Sequence, residues 1–286
     1  MSSLVGRFAP SPTGPLHMGS LVTAVASYLD IKSRGGQWFV RIDNIDPPRE
    51  SPAAAADILD TLYNHGLRSD LPIDFQADHE RRYEEALAAL RSQLFYCTCT
   101  RKMLARHNTY PGTCRNQRDP VPNAALRLRV SATTISYRDT ITGTHACDLA
   151  QDSGDFIVLR RDGLWSYTFA TAIDDGHDCS HVLRGEDLQA TTPAQIYLMR
   201  LLGLQVPVYT HLPILRYADG AKLSKQTHAP ALDRNTPVQN LITALGYLHM
   251  TAPPHTCSTA ADCLEWALEG WPSHRLPTAL PQYVLT

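Results

Sequence analysis

The stretch "RFAPSPTGPLHMGS", residues 7–20, decides how the fold is read. Pro10, Pro12 and Pro15 fix φ and remove backbone donors, while Gly14 and Gly19 let the backbone approach a ligand with no Cβ in the way. Ahead of it, "LVGRFA" (4–9) reads as a short strand. Behind it, "LVTAVASYLDIKSRGG" (21–36) sets Leu21, Val22, Val25, Ala26 and Leu29 on one helical face and stops at Gly35 and Gly36. "QWFVRID" (37–43) is the next strand, so strand, loop, helix, strand predicts a βαβ crossover and a parallel sheet. The loop then falls at the carboxyl end of the first strand, where open α/β sheets bind ligands. Helix N-termini favour anions, which makes phosphate a natural guest near Ser20, with His17 at the mouth. Taken alone, the stretch also reads as a plain structural loop, and it has neither Walker nor dinucleotide-fingerprint spacing.

Downstream, "SPAAAADILDTLYNHG" (51–66) and "DHERRYEEALAALRSQL" (78–94) read as helices, the second with Asp78 as its cap and an acidic first turn. "ALRLRV" (125–130), "TISYRD" (134–139) and "DFIVLRR" (155–161) look like strands. "WSYTFATAIDD" (165–175), "HVLRGEDL" (181–188), "ATTPAQIYLMRLLG" (190–203) and "VYTHLPIL" (208–215) return to strand and helix, and "RYADGAKLSK" (216–225) carries an Asp-Gly turn. "TPVQNLITALGYL" (236–248) and "AADCLEWALEGW" (260–271) are two short helices, and there is no internal repeat.

A chain of 286 residues can bury the core of one large domain or two smaller ones. With 43% hydrophobic and 19% charged residues it reads as globular, and no apolar run is long enough to span a bilayer. "MSSLVGRF" (1–8) has no basic patch followed by an apolar stretch, so neither a signal nor a transit peptide is expected and the cytoplasm is the expected location. Seven cysteines in such a chain point to free thiols or metal ligands rather than a disulfide framework. A net charge of -2 and a pI near 6.6 give no support to bulk nucleic-acid binding. "RKMLAR" (101–106), "RNQR" (115–118) and "RLR" (127–129) supply local cations that serve equally as solvated faces.

Two further constellations carry chemistry. "KLSKQ" (222–226) offers two ammonium groups on a loop, suited to polyphosphate and also to an ordinary surface turn. "CTC", with Cys97 and Cys99, is followed by "TYPGTC" (109–114), ending at Cys114. Zinc takes four ligands in a tetrahedron; three irregularly spaced cysteines are as compatible with unlinked thiols, and His107 is a fourth ligand on general grounds.

Together, the His-x-Gly loop, the "KLSK" loop and the βαβ opening resemble the two signatures of class I aminoacyl-tRNA synthetases. "RFAPSPTGPLHMGS", "RIDNIDPPR" (41–49) and "HVLRGEDL" resemble the glutamate and glutamine branch, over roughly residues 5–230. The resemblance implies an α/β fold: a Rossmann-like nucleotide-binding parallel sheet with helices. Residues 1–95 and 161–230 would form its two halves, 96–160 an inserted zinc-containing subdomain, and 231–286 a short helical C-terminal region without an anticodon-binding domain.

It further implies that ATP activates an amino acid to an aminoacyl-adenylate, releasing pyrophosphate before transfer to RNA. In that pattern His17 serves the α-phosphate, Gly19 leaves room for adenine and Lys225 neutralises the leaving pyrophosphate. Pro10, Ser20, Lys222 and Ser224 complete the ATP contacts, and Mg²⁺ accompanies the nucleotide. For L-glutamate, Arg7 and Arg184 meet carboxylate, Tyr167 and Ser11 donate hydrogen bonds, Ala9 lines the site and Asp43 receives the ammonium. The chain departs from the pattern at Ser20, where many members carry a second His, at Leu223 and Gln226, and at Asp43, where the pattern has Glu. The resemblance also implies one structural Zn²⁺ held by Cys97, Cys99, Tyr110 and Cys114, leaving Cys147, Cys179, Cys257 and Cys263 as packing or surface thiols.

Only about sixty residues follow Gln226, too few for the helical module with which full glutamyl-tRNA synthetases read the anticodon. The resemblance therefore narrows to a truncated paralogue that activates glutamate without tRNA and attaches it to the queuosine base of tRNA(Asp). Its partners would be ATP, L-glutamate and that tRNA, with no membrane and a monomeric chain. The competing readings are an enzyme charging a tRNA 3′ end, a ligase with a small-molecule acceptor, and an RNA-binding relic without catalysis.

Overall fold

Strand β1 (Val5–Phe8), helix α1 (Met18–Lys32) and strand β2 (Gln37–Ile42) form the expected crossover, with β1 and β2 parallel and Val5 opposite Gln37. In this computed structural model residues 4–223, 229–251, 253, 257–271 and 276–283 are described. The helix crosses β1 at Gly6, where an added Cβ would come within 2.4 Å of Ile31 Cγ1, so only glycine leaves room there. Leu21, Val22, Val25, Ala26 and Leu29 are all buried, as their spacing requires.

The chain continues through α2 (Pro52–Asn64), β3 (Asp74–Phe75), α3 (Glu80–Ala89), β4 (Leu94–Cys97), α4 (Arg101–Leu104), β5 (Ala125–Leu128), β6 (Thr134–Asp139) and β7 (Gly143–Asp148). Then come α5 (Leu149–Asp152), β8 (Phe156–Leu159), α6 (Tyr167–Asp178), β9 (His181–Gly185), α7 (Thr192–Leu202), β10 (Val208–Leu212), α8 (Pro237–Tyr247) and α9 (Ala260–Gly270). The main sheet has the order β3-β2-β1-β9-β10-β6-β7, parallel except for the antiparallel β6–β7 hairpin at its edge. Strands β4, β5 and β8 make a separate antiparallel sheet with β5 in the middle.

Strand alternation sorts side chains between two cores. Trp38, Val40, Ile42, Leu183 and Leu212 pack with α1, α8 and α9; Phe39, Val182 and Tyr209 pack with α6 and α7. Residues two apart from the second set, Arg41, Arg184 and His211, therefore project toward α6 and α7. Arg7, flanked by Gly6 beneath α1, projects the same way.

One local expectation is corrected. Asp78 does not cap α3: a 3₁₀ turn, Gln76–His79, intervenes, and α3 starts at Glu80 after His79 with no side-chain cap. The tight turn lets Gln76 and His79 both reach Asp174 on α6, at 2.7 and 2.8 Å. No helix among the described residues is long and apolar enough to cross a membrane.

Candidate active site

Chain order reverses between β1 and β9, and a cavity of about 450 Å³ opens at the carboxyl ends of those strands, the place where such sheets bind ligands. Ala9, Pro10 and Ser11 form one wall, and His17, Gly19 and Ser20 in the first turn of α1 form another. Gly185 and Leu188 follow from β9, and Lys222 and Leu223 arrive from far along the chain. His17 Nδ1 accepts from the Ser20 amide at 3.3 Å, which sets the ring across the helix N-terminus. A Cβ on Gly19 would stand 3.2 Å from that ring and 3.8 Å from Leu223 Cδ2, so the two sequence signatures meet at this glycine. The expected Asp-Gly turn, with Gly220 at φ +83°, carries Lys222 back to Asp187, where Nζ donates to Oδ2 at 2.5 Å. Ser224 and Lys225 lie outside the described residues.

A buried charged layer meets the cavity wall where the Asp43 amide donates to the Pro10 carbonyl at 3.0 Å. Arg7 donates through Nε and Nη2 to the two oxygens of Asp175, each at 3.0 Å, and through Nη1 to the Leu183 carbonyl at 3.4 Å. Arg41 joins Asp175 at 2.9 Å and Asp43 at 2.8 Å, and has Nη2 without a partner among the described residues. Burial pushes the Asp175 carboxyl upward, but Arg7 and Arg41 outweigh it and hold it below the usual range. For Asp43 burial prevails over Arg41, and its pKa is pushed up to about 6. Asp174, beside Asp175, accepts from Gln76, His79, Arg82 and Tyr83.

Arg184 is equally buried, at 3% exposure, yet no carboxylate touches it among the described residues. Its Nε donates to His211 Nε2 at 3.2 Å and its Nη2 to Thr192 Oγ1 at 2.8 Å, with Leu188 O at 3.5 Å. Its Nη1 has no partner among the described residues. A buried cation with one donor unpaired among the described residues, beside a wall residue of the cavity, is suited to a carboxylate ligand. Tyr167 opens α6, half-buried, with Ser166 as cap.

In the second sheet, Cys97, Cys99 and Cys114 bring their sulfurs within 4.8 Å of one another. The Tyr110 hydroxyl lies 3.4 Å from Cys97 Sγ and 3.9 Å from Cys99 Sγ, and accepts from the Cys114 amide at 2.7 Å. Arg127 stacks its guanidinium 4.2 Å from the Tyr110 ring centroid. Three thiols and a phenol oxygen around one point are the donor set of a closed metal site, and they could hold a tetrahedral ion. His107 is exposed and outside the cluster.

Ala9, Pro10, Ser11, His17, Gly19, Ser20 and Lys222 thus share one cavity, while Arg7 and Asp43 lie in the charged layer and Arg184 against the Leu188 carbonyl. Sequence reading missed Arg41, Asp139, Asp174, Asp175 and His211. The available signal was "IDDG" (173–176), two consecutive acids inside an apolar helical stretch, which burial demands be paired.

The tRNA synthetases class I (E and Q) catalytic domain matches residues 3–251. A glutamyl-Q tRNA(Asp) synthetase of Neisseria meningitidis serogroup C is 44% identical over 95% of this chain and 97% of its own length. Proteins of the same name from Chromobacterium violaceum and Burkholderia mallei are each 42% identical over 98% of the chain. Among solved structures, a glutamate tRNA ligase of Elizabethkingia meningosepticum superposes with TM-score 0.73 at 22% identity, covering 92% of this chain, which spans 64% of that one. The glutamate-tRNA synthetase of Elizabethkingia anophelis gives 0.76 at 21% identity, covering 99% of this chain and 68% of its own. These two likenesses bear on the fold.

Proposed function

The chain belongs to the class I tRNA synthetases of the glutamate and glutamine branch, together with the glutamyl-Q tRNA(Asp) synthetases, and on that premise we propose that it activates L-glutamate with ATP, without tRNA, and transfers it to the queuosine base in the anticodon of tRNA(Asp). The observation that carries the reading is the meeting of His17, Gly19 and Ser20 with Lys222 and Leu223 around one cavity, with Arg184 bonded to its Leu188 wall. ATP would lie there with adenine over Gly19 and its phosphates toward the α1 N-terminus, whose amides and partial charge favour anions. Pro10 and Ser20 would flank the nucleotide, His17 would meet the α-phosphate, and Lys222, Ser224 and Lys225 the β- and γ-phosphates. Mg²⁺, arriving with ATP, would offset phosphate charge.

Glutamate would bring two carboxylates and one ammonium. Arg184 offers Nη1, and Arg7 keeps its own Nη1 as its least committed donor; Ser11 and Tyr167 add hydroxyls beside Ala9, and Asp43 takes the ammonium. A carboxylate oxygen of glutamate attacks the α-phosphorus, the bond to the bridging oxygen of pyrophosphate breaks, and fixed donors stabilise the charge that builds on the phosphoryl oxygens. A nucleophile of the queuosine base then attacks the acyl carbon and AMP leaves.

Cys97, Cys99, Cys114 and Tyr110 would hold one Zn²⁺, closing the β4 end of the inserted sheet as a structural site. The reading carries with it a monomer acting in the cytoplasm.

Purified protein should support glutamate-dependent exchange of pyrophosphate into ATP without tRNA. Labelled glutamate should then attach to tRNA(Asp) only when queuosine is present, and away from the 3′ end. Exchange that requires tRNA, or label on the 3′ adenosine, defeats the proposal. Metal analysis should find one zinc per chain, reduced in Cys99→Ser; a metal-free parent removes the zinc site.

A further inference from the structure

Strand register sets Arg184 on β9 directly beside His211 on β10, and Asp139 closes β6 next to Tyr209. Asp139 Oδ2 lies 2.8 Å from His211 Nδ1 and 2.9 Å from the His211 amide, while its Oδ1 accepts from the amides of Ile141 and Thr142 at 2.9 Å. A carboxylate only accepts, so Nδ1 carries the proton. Nε2 faces Arg184 Nε at 3.2 Å, a group that only donates, so Nε2 must present its lone pair. Thr192 Oγ1, 3.0 Å from Nε2, takes the second Arg184 edge through Nη2. All four side chains are almost completely buried. The Tyr209 ring, stacked 5.8 Å from His211 and 5.2 Å from the Arg184 guanidinium carbon, closes one side.

From this we propose that Asp139 and His211 are positioning residues for the substrate carboxylate: Asp139 fixes one imidazole tautomer, whose Nε2 anchors Arg184 and leaves Nη1 directed to the ligand. The inference rests on the functional reading above. A carboxylate set directly on Arg184 would occupy both of its edges and cancel the charge the substrate needs, as Asp175 does to Arg7. A neutral imidazole between the acid and the guanidinium supplies orientation without neutralisation. Burial and the nearby Arg184 both lower the His211 pKa, in keeping with a neutral ring.

Two substitutions separate positioning from packing. His211→Asn keeps a donor for Asp139 at the Nδ1 position and loses the acceptor for Arg184; His211→Gln supplies an oxygen near the Nε2 position. In pyrophosphate exchange the Asn variant should raise KM for glutamate about tenfold or more with KM for ATP within about twofold, and the Gln variant should stay within about threefold of the parent. Equal behaviour of the two variants, or a parallel rise in KM for ATP, overturns the proposal. Nitrogen NMR of His211 in the unmodified chain decides the network without any activity or variant: a protonated Nδ1 and bare Nε2 at neutral pH are expected, and a protonated Nε2 overturns it. A parent with no glutamate-dependent exchange overturns the functional reading and the substrate half of this proposal, while the tautomer still judges the anchor.

Discussion

Arg7 and Arg184 stand on neighbouring strands, face the same side of the sheet and are buried to the same degree, yet the protein treats their charges in opposite ways. Arg7 is clamped by both oxygens of Asp175, which Arg41 also shares. Arg184 is held by a histidine, a threonine and a carbonyl, none of them anionic. The first arrangement balances charge within the fold and so serves stability, leaving Arg7 only its weakly held Nη1 toward a ligand; the second leaves a cation in low dielectric for a ligand to neutralise.

The contrast breaks most readily at Asp175. Asp175→Asn leaves two buried guanidinium groups facing an amide and should destabilise the fold by about 3–5 kcal/mol, read as a lower midpoint in urea. Folding equal to the parent would show that the ion pairs do not hold the layer. Arg184→Gln should do the reverse: KM for glutamate rises about a hundredfold, through loss of a charged partner worth about 2–3 kcal/mol, while the urea midpoint moves much less. An unfolded Arg184→Gln, or one with unchanged KM, would erase the distinction.

This contrast was only half legible in the sequence. The βαβ opening was readable because apolar spacing, two terminal glycines and a stiff loop all specify the same crossover. Arg7 and Arg184 were found through the resemblance, but which arginine is matched depends on Asp175 and His211, 168 and 27 positions away, and no local pattern reports such pairings. Three strands of residues 125–161, β5, β6 and β8, were visible by alternation, whereas β7 was not, and alternation cannot tell that β6, with β7, extends the main sheet while β5 and β8 do not. Likewise, three irregularly spaced cysteines are as compatible with unlinked thiols as with a metal site, and Tyr110, whose oxygen lies among them, is preferred to His107 only through the resemblance.

The matched side extends to His79, and its pH response gives a finer reading of how much that side stabilises. Hydrogen bonds to Asp174, then Asp74, raise His79 to about 9 against an unfolded value near 6.5. A base raised on folding contributes stability that is fully present below pH 6.5 and lost as pH climbs through about 9. With partial solvent screening the loss should be about 2 kcal/mol, seen as a Tm that falls between pH 6.5 and 9.5. His79→Gln should flatten that slope. A parent whose Tm is level over the interval would mean that His79 is not charged in the fold.

The smallest effect tests whether the ligand-directed side has an acidic counterpart to Arg184. Asp43, with burial pushing its pKa up to about 6 against Arg41, can hold the glutamate ammonium only when ionised. Between pH 5 and 7 the carboxylates of glutamate itself stay ionised, since a free side-chain carboxyl titrates near about 4.3. A dependence in this window therefore reports the protein. KM for glutamate should be level above pH 6 and rise below it, approaching about tenfold per pH unit, with KM for ATP unmoved. Asp43→Asn should raise KM throughout and remove the slope; Arg184→Gln should raise KM and keep it. Because the two variants then fail in different ways, the profile assigns one end of the substrate to each residue. A parent profile flat from pH 5 to 7 would mean that the ammonium is received elsewhere, and Asp43 would pass to the matched side as a partner of Arg41 alone.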